Sequence, residues 1–131
     1  MSVKLPDLVV PLRVPQLMAY GAATWDWHQI HYDSAAARAS GMPGPVVDGQ
    51  MFGALIARQI RKWAGPRAHF VELRFRNCGF VTAPNEVVVK SELSSSRICG
   101  SVERFEVATK IFDNADRVVV DEGLTVIEVP R

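Results

Sequence analysis

Cysteine is scarce in this chain. Of 131 residues only Cys78 and Cys99 are cysteines. They stand apart, with no CxxC spacing, which excludes a disulfide-stapled scaffold and a cysteine-rich zinc module and suits a reducing compartment. Both read as ordinary half-buried thiols. Long apolar runs are missing as well: nowhere do about 18 apolar residues follow one another, the length a membrane-spanning helix needs. The stretch from Met1 to Val14, broken by Pro6 and Pro11, lacks the charged-then-apolar order of a secretory signal, so a soluble cytoplasmic protein is expected. Nor is there an excess of charge of one sign. Fifteen basic and fourteen acidic side chains leave a formal charge of +1, without the basic footprint of a nucleic-acid binder, although local groups can still meet an anionic small ligand. No internal repeat or low-complexity segment occurs. The length suits one domain spanning residues 1–131 with a core of its own.

What is present changes character near Pro66. Before it lie helix signals. Pro15 opens a short helix through Ala23, with Leu17, Tyr20 and Gly21 on one face. Asp33 or Ser34 caps a second short helix that Gly41 and Pro43 end. Asp48 caps a longer one from Gln50 to Trp63, stopped by Gly65-Pro66. The first half of that helix, Met51 to Ala57, is apolar nearly all round and is expected to be buried. In its second half Phe52, Leu55, Ile56, Ile60 and Trp63 share a face opposite Arg58, Arg61 and Lys62. After Pro66 come strands at Phe70–Asn77, Glu86–Leu93, Arg97–Phe112 and Arg117–Val129, separated by Ala83-Pro84-Asn85, Ser94-Ser95-Ser96 and Asp113-Asn114-Ala115-Asp116. Four consecutive strands with short connections predict an antiparallel sheet, with the long helix as the layer covering it: an α+β fold.

Chemistry concentrates between Asp26 and Gly49. Asp26-Trp27-His28-Gln29-Ile30-His31-Tyr32-Asp33 places a carboxylate five residues before an imidazole, and Val46-Val47-Asp48-Gly49 delivers a glycine to the start of the apolar helix. A carboxylate and an imidazole can activate a water between them, and a backbone N–H at a helix start can stabilise a developing anion. Each residue has a plainer reading: Asp26 as a cap or surface acid, His31 as a core histidine, Gly49 as a turn glycine. Asp48 reads as an N-cap only, Trp25 and Trp27 as core or subunit-contact residues, and His69 as a satisfied strand residue. His28 and His31, flanked by Asp26 and Asp33, can also be read as a metal site, but no further His or Cys cluster completes a ligand set, so no metal or cofactor is expected. Gly53, Ala54 and Ala57 read as close packing against the sheet before they read as room for an acyl chain. Arg58, Arg61, Lys62, Arg67 and Arg97 read as a solvated face.

The run Asp26-x-x-x-x-His31, the small residue Ala37 six places on, and Gly49 at the start of a long buried helix resemble the MaoC-like, (R)-specific enoyl-CoA hydratases of the hotdog fold. That family's pattern is Asp-x-Asn-Pro-x-His followed by His-Gly at the helix start. Here His28 stands in place of the asparagine, Gln29 of the proline and Asp48 of the histidine. The resemblance implies a single hotdog domain, an antiparallel sheet wrapped around one long central helix. It implies reversible syn addition of water to a 2-enoyl-CoA, with Asp26 and His31 catalytic and Gly49 the oxyanion donor. It also implies an enoyl-CoA or 3-hydroxyacyl-CoA substrate, a homodimer or a heterodimer with another hotdog chain, and no resident cofactor. Two alternatives stand beside it: a hotdog acyl-CoA thioesterase, against which the lack of Asp or Glu between Gln50 and Trp63 speaks, and a subunit that completes a partner's pocket.

Overall fold

Apolar residues at alternate positions through the second half of the chain dictate strands with one buried face. The computed structural model describes residues 3–131. Its strands are β1 (Val3–Lys4), β2 (Leu8–Leu12), β3 (His69–Asn77), β4 (Asn85–Cys99), β5 (Val102–Phe112) and β6 (Val118–Pro130), and its helices are α1 (Val14–Thr24), α2 (Ser34–Ala39) and α3 (Gly49–Ala64). All six strands join one antiparallel sheet in the order β1-β4-β5-β6-β3, with β2 also on β4. Inward-facing Val87, Val89, Val107, Ile111, Val120 and Ile127 pack with Phe52, Leu55, Ile56 and Ile60 of α3 in one core. Each such side chain contributes about 1.5–3 kcal/mol relative to exposure. A sheet curled around one long helix is the expected hotdog arrangement.

Several boundaries differ from the sequence reading. Ser94-Ser95-Ser96 is not a turn. These serines lie inside β4, where a register shift between Leu93 and Ser95 accommodates them, and the Oγ atoms of Ser94 and Ser95 donate to Glu106. The reversal falls at Gly100, in left-handed conformation at φ 63°. The expected strand from Arg97 to Phe112 is therefore two strands. The four long strands do not form a simple meander, because β3 pairs with β6 rather than with β4. The first 14 residues supply two short strands, and both close on β4.

Helix α3 begins and ends as its caps dictate. Asp48 Oδ1 accepts from Gln50 N–H at 2.9 Å, and Gly65, at φ 94°, stops the helix before Pro66. Met51, Phe52, Leu55, Ile56 and Ile60 are buried, but Ala54 is exposed, so the first half is not enclosed all round. At Gly53 a Cβ would lie 2.9 Å from the Phe75 ring: this glycine packs against the sheet. Gln59, which the sequence reading passed over, is buried in the apolar face with every polar atom partnered. Its Nε2 donates to Pro6 O and Val89 O, both at 2.9 Å, and its Oε1 accepts from Ser91 Oγ at 2.6 Å. Arg61 is engaged locally, donating to Pro66 O and Ala68 O and lying 5.0 Å over the Phe70 ring. Trp25 and Trp27 are exposed, which removes them from the core, and Cys78 is exposed rather than half-buried. No helix among the described residues is long and apolar enough to cross a membrane.

Candidate active site

Asp26 is placed by the way α1 ends. Trp25 adopts the left-handed conformation at φ 59° and turns the chain back, so that Asp26 N–H donates to Gly21 O at 2.9 Å. The return passes directly over Gly21. A Cβ there would sit 2.7 Å from the Asp26 carbonyl oxygen, so the glycine admits the carboxylate-bearing loop where alanine would collide with it. Asp26 Oδ1 then accepts from His28 N–H at 3.3 Å.

His31 ends a short 3₁₀ turn, Gln29–His31, tied to the segment that leads into α3. Val46 N–H donates to Ile30 O at 2.8 Å, and Val47 N–H donates to Val81 O at 2.8 Å. The His31 ring completes the clamp, its Nδ1 lying 2.6 Å from Val46 O. A carbonyl only accepts, so Nδ1 carries the hydrogen, and in neutral His31 the free lone pair is on Nε2. That nitrogen faces two carboxylates, Asp26 Oδ2 and Asp48 Oδ2, each 3.9 Å away. This is too long for a direct hydrogen bond and suits a bridging water, which makes bonds of roughly 2.8 Å to either side.

The electrostatics follow from this crowding. The neighbouring Asp48 side chain is the largest influence on the Asp26 carboxyl. Together with the His28 N–H and the nearby imidazoles it holds the Asp26 carboxyl below the usual carboxylate range, against a smaller opposing effect of desolvation. Tyr20 moves the other way, raised by burial first and then by the negative charge of Asp48 and Asp26, so its phenol stays neutral well above physiological pH. Leu17, Tyr20, Gly21 and Met51 wall a small recess whose polar end is Asp26, His31 and Asp48. Such a site brings two carboxylates and an imidazole together at the end of an apolar wall.

Gly49 stands at the mouth of α3. In that first turn Gln50 N–H is taken by Asp48 Oδ1 and Met51 N–H by Asp48 O, while Gly49 N–H has no acceptor among the described residues. It is a preorganised donor at the positive end of a helix. A Cβ at Gly49 would lie 2.7 Å from Asn77 Nδ2, which places the amide that ends β3 against the same helix start. Nothing in the sequence pointed to Asn77, because strand β3 arrives there only through the pairing with β6.

The three residues singled out by the sequence thus meet around α3, and Asp48, read as a cap alone, joins them. The set considered for a metal does not assemble. His28 Nδ1 accepts from Ile30 N–H, and Asp33 Oδ1 caps α2 through the N–H groups of Ala35 and Ala36. The donors that converge are instead those of Asp26, His31 and Asp48, all within 4.8 Å of one another. His69 lies exposed at the start of β3. A cavity of about 480 Å³ is lined by Lys4, Asp7 and residues of β4, β5 and β6. Among its charges Lys90 pairs with Asp7 at 3.2 Å and Lys110 with Asp121 at 3.7 Å.

Residues 5–115 match the family model described as MaoC like domain. No curated protein matches the chain by sequence. Among solved structures the chain is similar to the (R)-hydratase from A. caviae involved in PHA biosynthesis, with a TM-score of 0.86 at 20% identity over 98% of this chain and 96% of that one. It is also similar to the R-hydratase PhaJ1 from Pseudomonas aeruginosa, TM-score 0.84 at 21% identity over 100% and 90%. The ChsH1-ChsH2 complex from Mycobacterium tuberculosis contains a chain with TM-score 0.84 at 22% identity over 99% and 97%. At these identities the structural likeness shows the fold alone.

Proposed function

Because the chain belongs to the MaoC-like dehydratase family, we propose that it is an (R)-specific enoyl-CoA hydratase, acting equally as a 3-hydroxyacyl-CoA dehydratase. The observation that carries this reading is the 3.9 Å gap between His31 Nε2 and Asp26 Oδ2 beside a helix start whose Gly49 N–H has no acceptor among the described residues. Water held in the gap is deprotonated as its oxygen bonds to Cβ of the enoyl thioester. The π pair moves to Cα, and Cα takes a proton from the same face, so one water is added in all. The charge that builds on the thioester oxygen meets the Gly49 N–H. Asp26 and His31 are the catalytic pair. The group that departs or arrives is water, so the chemistry calls for no resident cofactor, and coenzyme A enters only as part of the substrate.

The test is turnover of crotonyl-CoA and longer enoyl-CoAs, followed by loss of the conjugated double bond. Release of free thiol without hydration would instead identify a hotdog thioesterase. Asp26→Asn and His31→Ala are each expected to lower kcat by about 10²–10⁴-fold, the usual scale of acid–base catalysis, with the fold retained. Near-normal rates in either variant would remove that residue from the mechanism.

The active species we propose is a dimer, of two identical chains or with a second hotdog chain. The solved relative from Mycobacterium tuberculosis is a complex of ChsH1 with ChsH2, and here Trp25, 81% exposed, and Trp27 lie uncovered next to the site. Activity that appears only on adding a second hotdog chain would favour the heteromeric form. The unpaired cysteines fit the reducing cytoplasm, which is the proposed location.

A further inference from the structure

Capping a helix takes one side-chain oxygen, and serine, threonine or asparagine does it as well as aspartate. Asp48 uses Oδ1 for this, accepting from Gln50 N–H at 2.9 Å. Its second oxygen is not needed by the helix. It lies 3.9 Å from His31 Nε2, the same distance as Asp26 Oδ2 on the other side. The two carboxyls differ in setting: the Asp48 side chain is 14% exposed, like that of His31, whereas Asp26 is 44% exposed. The catalytic imidazole therefore works between an outer, wetter carboxylate and an inner, drier one.

We propose that Asp48 is a positioning residue of the acid–base site: its Oδ2 faces His31 Nε2, favours the imidazolium that forms when water loses its proton, and together with Asp26 sets where that proton rests. The proposal builds on the hydratase reading by adding a third group to its pair. The proton leaves water for Nε2, the inner carboxylate stabilises the resulting imidazolium, and Cα then takes that proton from Nε2 on the same face, so His31 ends neutral and no proton is gained or lost over the cycle. Three features support it. The ionisable atoms of Asp26, His31 and Asp48 all lie within 4.8 Å of one another. The Asp48 side chain is only 14% exposed, so water screens its charge little at that distance. Finally, Nδ1 is committed to Val46 O, so any change in the protonation of His31 takes place at the nitrogen that Asp48 faces. Tyr20 of α1, which stays neutral, senses the Asp48 charge, and the His28 ring lies 5.9 Å from that of His31. Between Gly49 and Ala64, α3 has no acid, and its basic residues lie in its second half.

Asp48→Ser separates the two roles, because serine keeps the cap and removes the carboxylate. The protonation midpoint of the His31 ring, followed by NMR and assigned by comparison with His31→Ala, is expected to move toward acid in Asp48→Ser by about half a pH unit or more. Asp26→Asn should move it in the same direction. With enoyl-CoA as substrate, Asp48→Ser should lower kcat by about tenfold or more with little change in KM, and the rising limb of its pH profile should shift to lower pH. If serine leaves the helix start unfolded, Asp48→Asn carries the same test. Its carbonyl oxygen takes the cap and its NH₂ replaces Oδ2, a donor where the imidazolium needs an acceptor. An unchanged His31 midpoint in a folded variant overturns the proposal. Failure of the wild-type protein to hydrate any enoyl-CoA overturns the hydratase reading instead, and the NMR titration still decides the role of Asp48.

Discussion

At the scale of single residues, two glycines explain why the site exists where it does. Gly21 carries no side chain because the Asp26 carbonyl occupies that space, 2.7 Å from where a Cβ would be. Gly21→Ala must push the Asp26 loop outward. The variant is expected to lose about 1–3 kcal/mol of stability by overpacking and to fall about a hundredfold in kcat, because the carboxylate is displaced from His31. Thermal denaturation alongside steady-state kinetics checks both, and a wild-type kcat would show that the loop position does not matter. Gly49 is different. A Cβ there meets the end of an exposed side chain, Asn77, which can swing away, so Gly49→Ala should cost little stability. It nevertheless places a methyl group beside the free N–H, and a rise in KM together with a loss of kcat is the expected reading.

At the scale of elements, the β5–β6 turn is held by one buried carboxylate. Asp113 accepts from the N–H groups of Ala115 and Arg117, each at 2.9 Å, and from Arg117 Nε at 2.8 Å. Burial works to raise its pKa, but these bonds outweigh it and hold the carboxyl below the ordinary aspartate range. A carboxyl depressed on folding stabilises the fold above its unfolded pKa and loses that contribution as pH falls through the folded value. Asp113→Ala is therefore expected to cost about 2–3 kcal/mol at pH 7. The gap from wild type should narrow once the pH drops below about 4. Urea denaturation at pH 7 and pH 3 measures this, and a gap that does not change with pH would contradict it. In α3, the saturated Gln59 amide links the helix to β4 and to the segment between β1 and β2. It ties the first strands of the chain to the central helix.

At the scale of the whole molecule, the sheet has an open side. Strand β3 pairs with β6 along one edge, and its other edge has no strand partner among the described residues. Val71 on this strand and Phe80 just beyond it are exposed. An unpaired, partly apolar edge next to the Asn77–Gly49 contact is a natural site for association. Sedimentation is expected to give a particle of twice 14.5 kDa, and Val71→Lys should shift it toward the single chain. A wild-type protein that sediments as one chain at micromolar concentration would place the association elsewhere or with a different partner.

The sequence by itself determined the parts: one long capped helix, a strand-rich second half, and a carboxylate, an imidazole and a glycine at the spacing of a known family. These were legible because caps, alternation and helix stops are local, written in residues a few positions apart. The true reversal at Gly100 was hidden because three consecutive serines look like a turn, and only their pairing with β5 keeps them in a strand. Tertiary structure alone decided that β3 lies beside β6, bringing Asn77 to Gly49. It also decided that Val46 clamps the His31 ring so that Nε2 faces inward, and that the capping carboxyl of Asp48 reaches the same nitrogen as Asp26. Those contacts join residues 15 to 59 positions apart. Local preference is silent over such distances, and the burial of a shared core makes the choice.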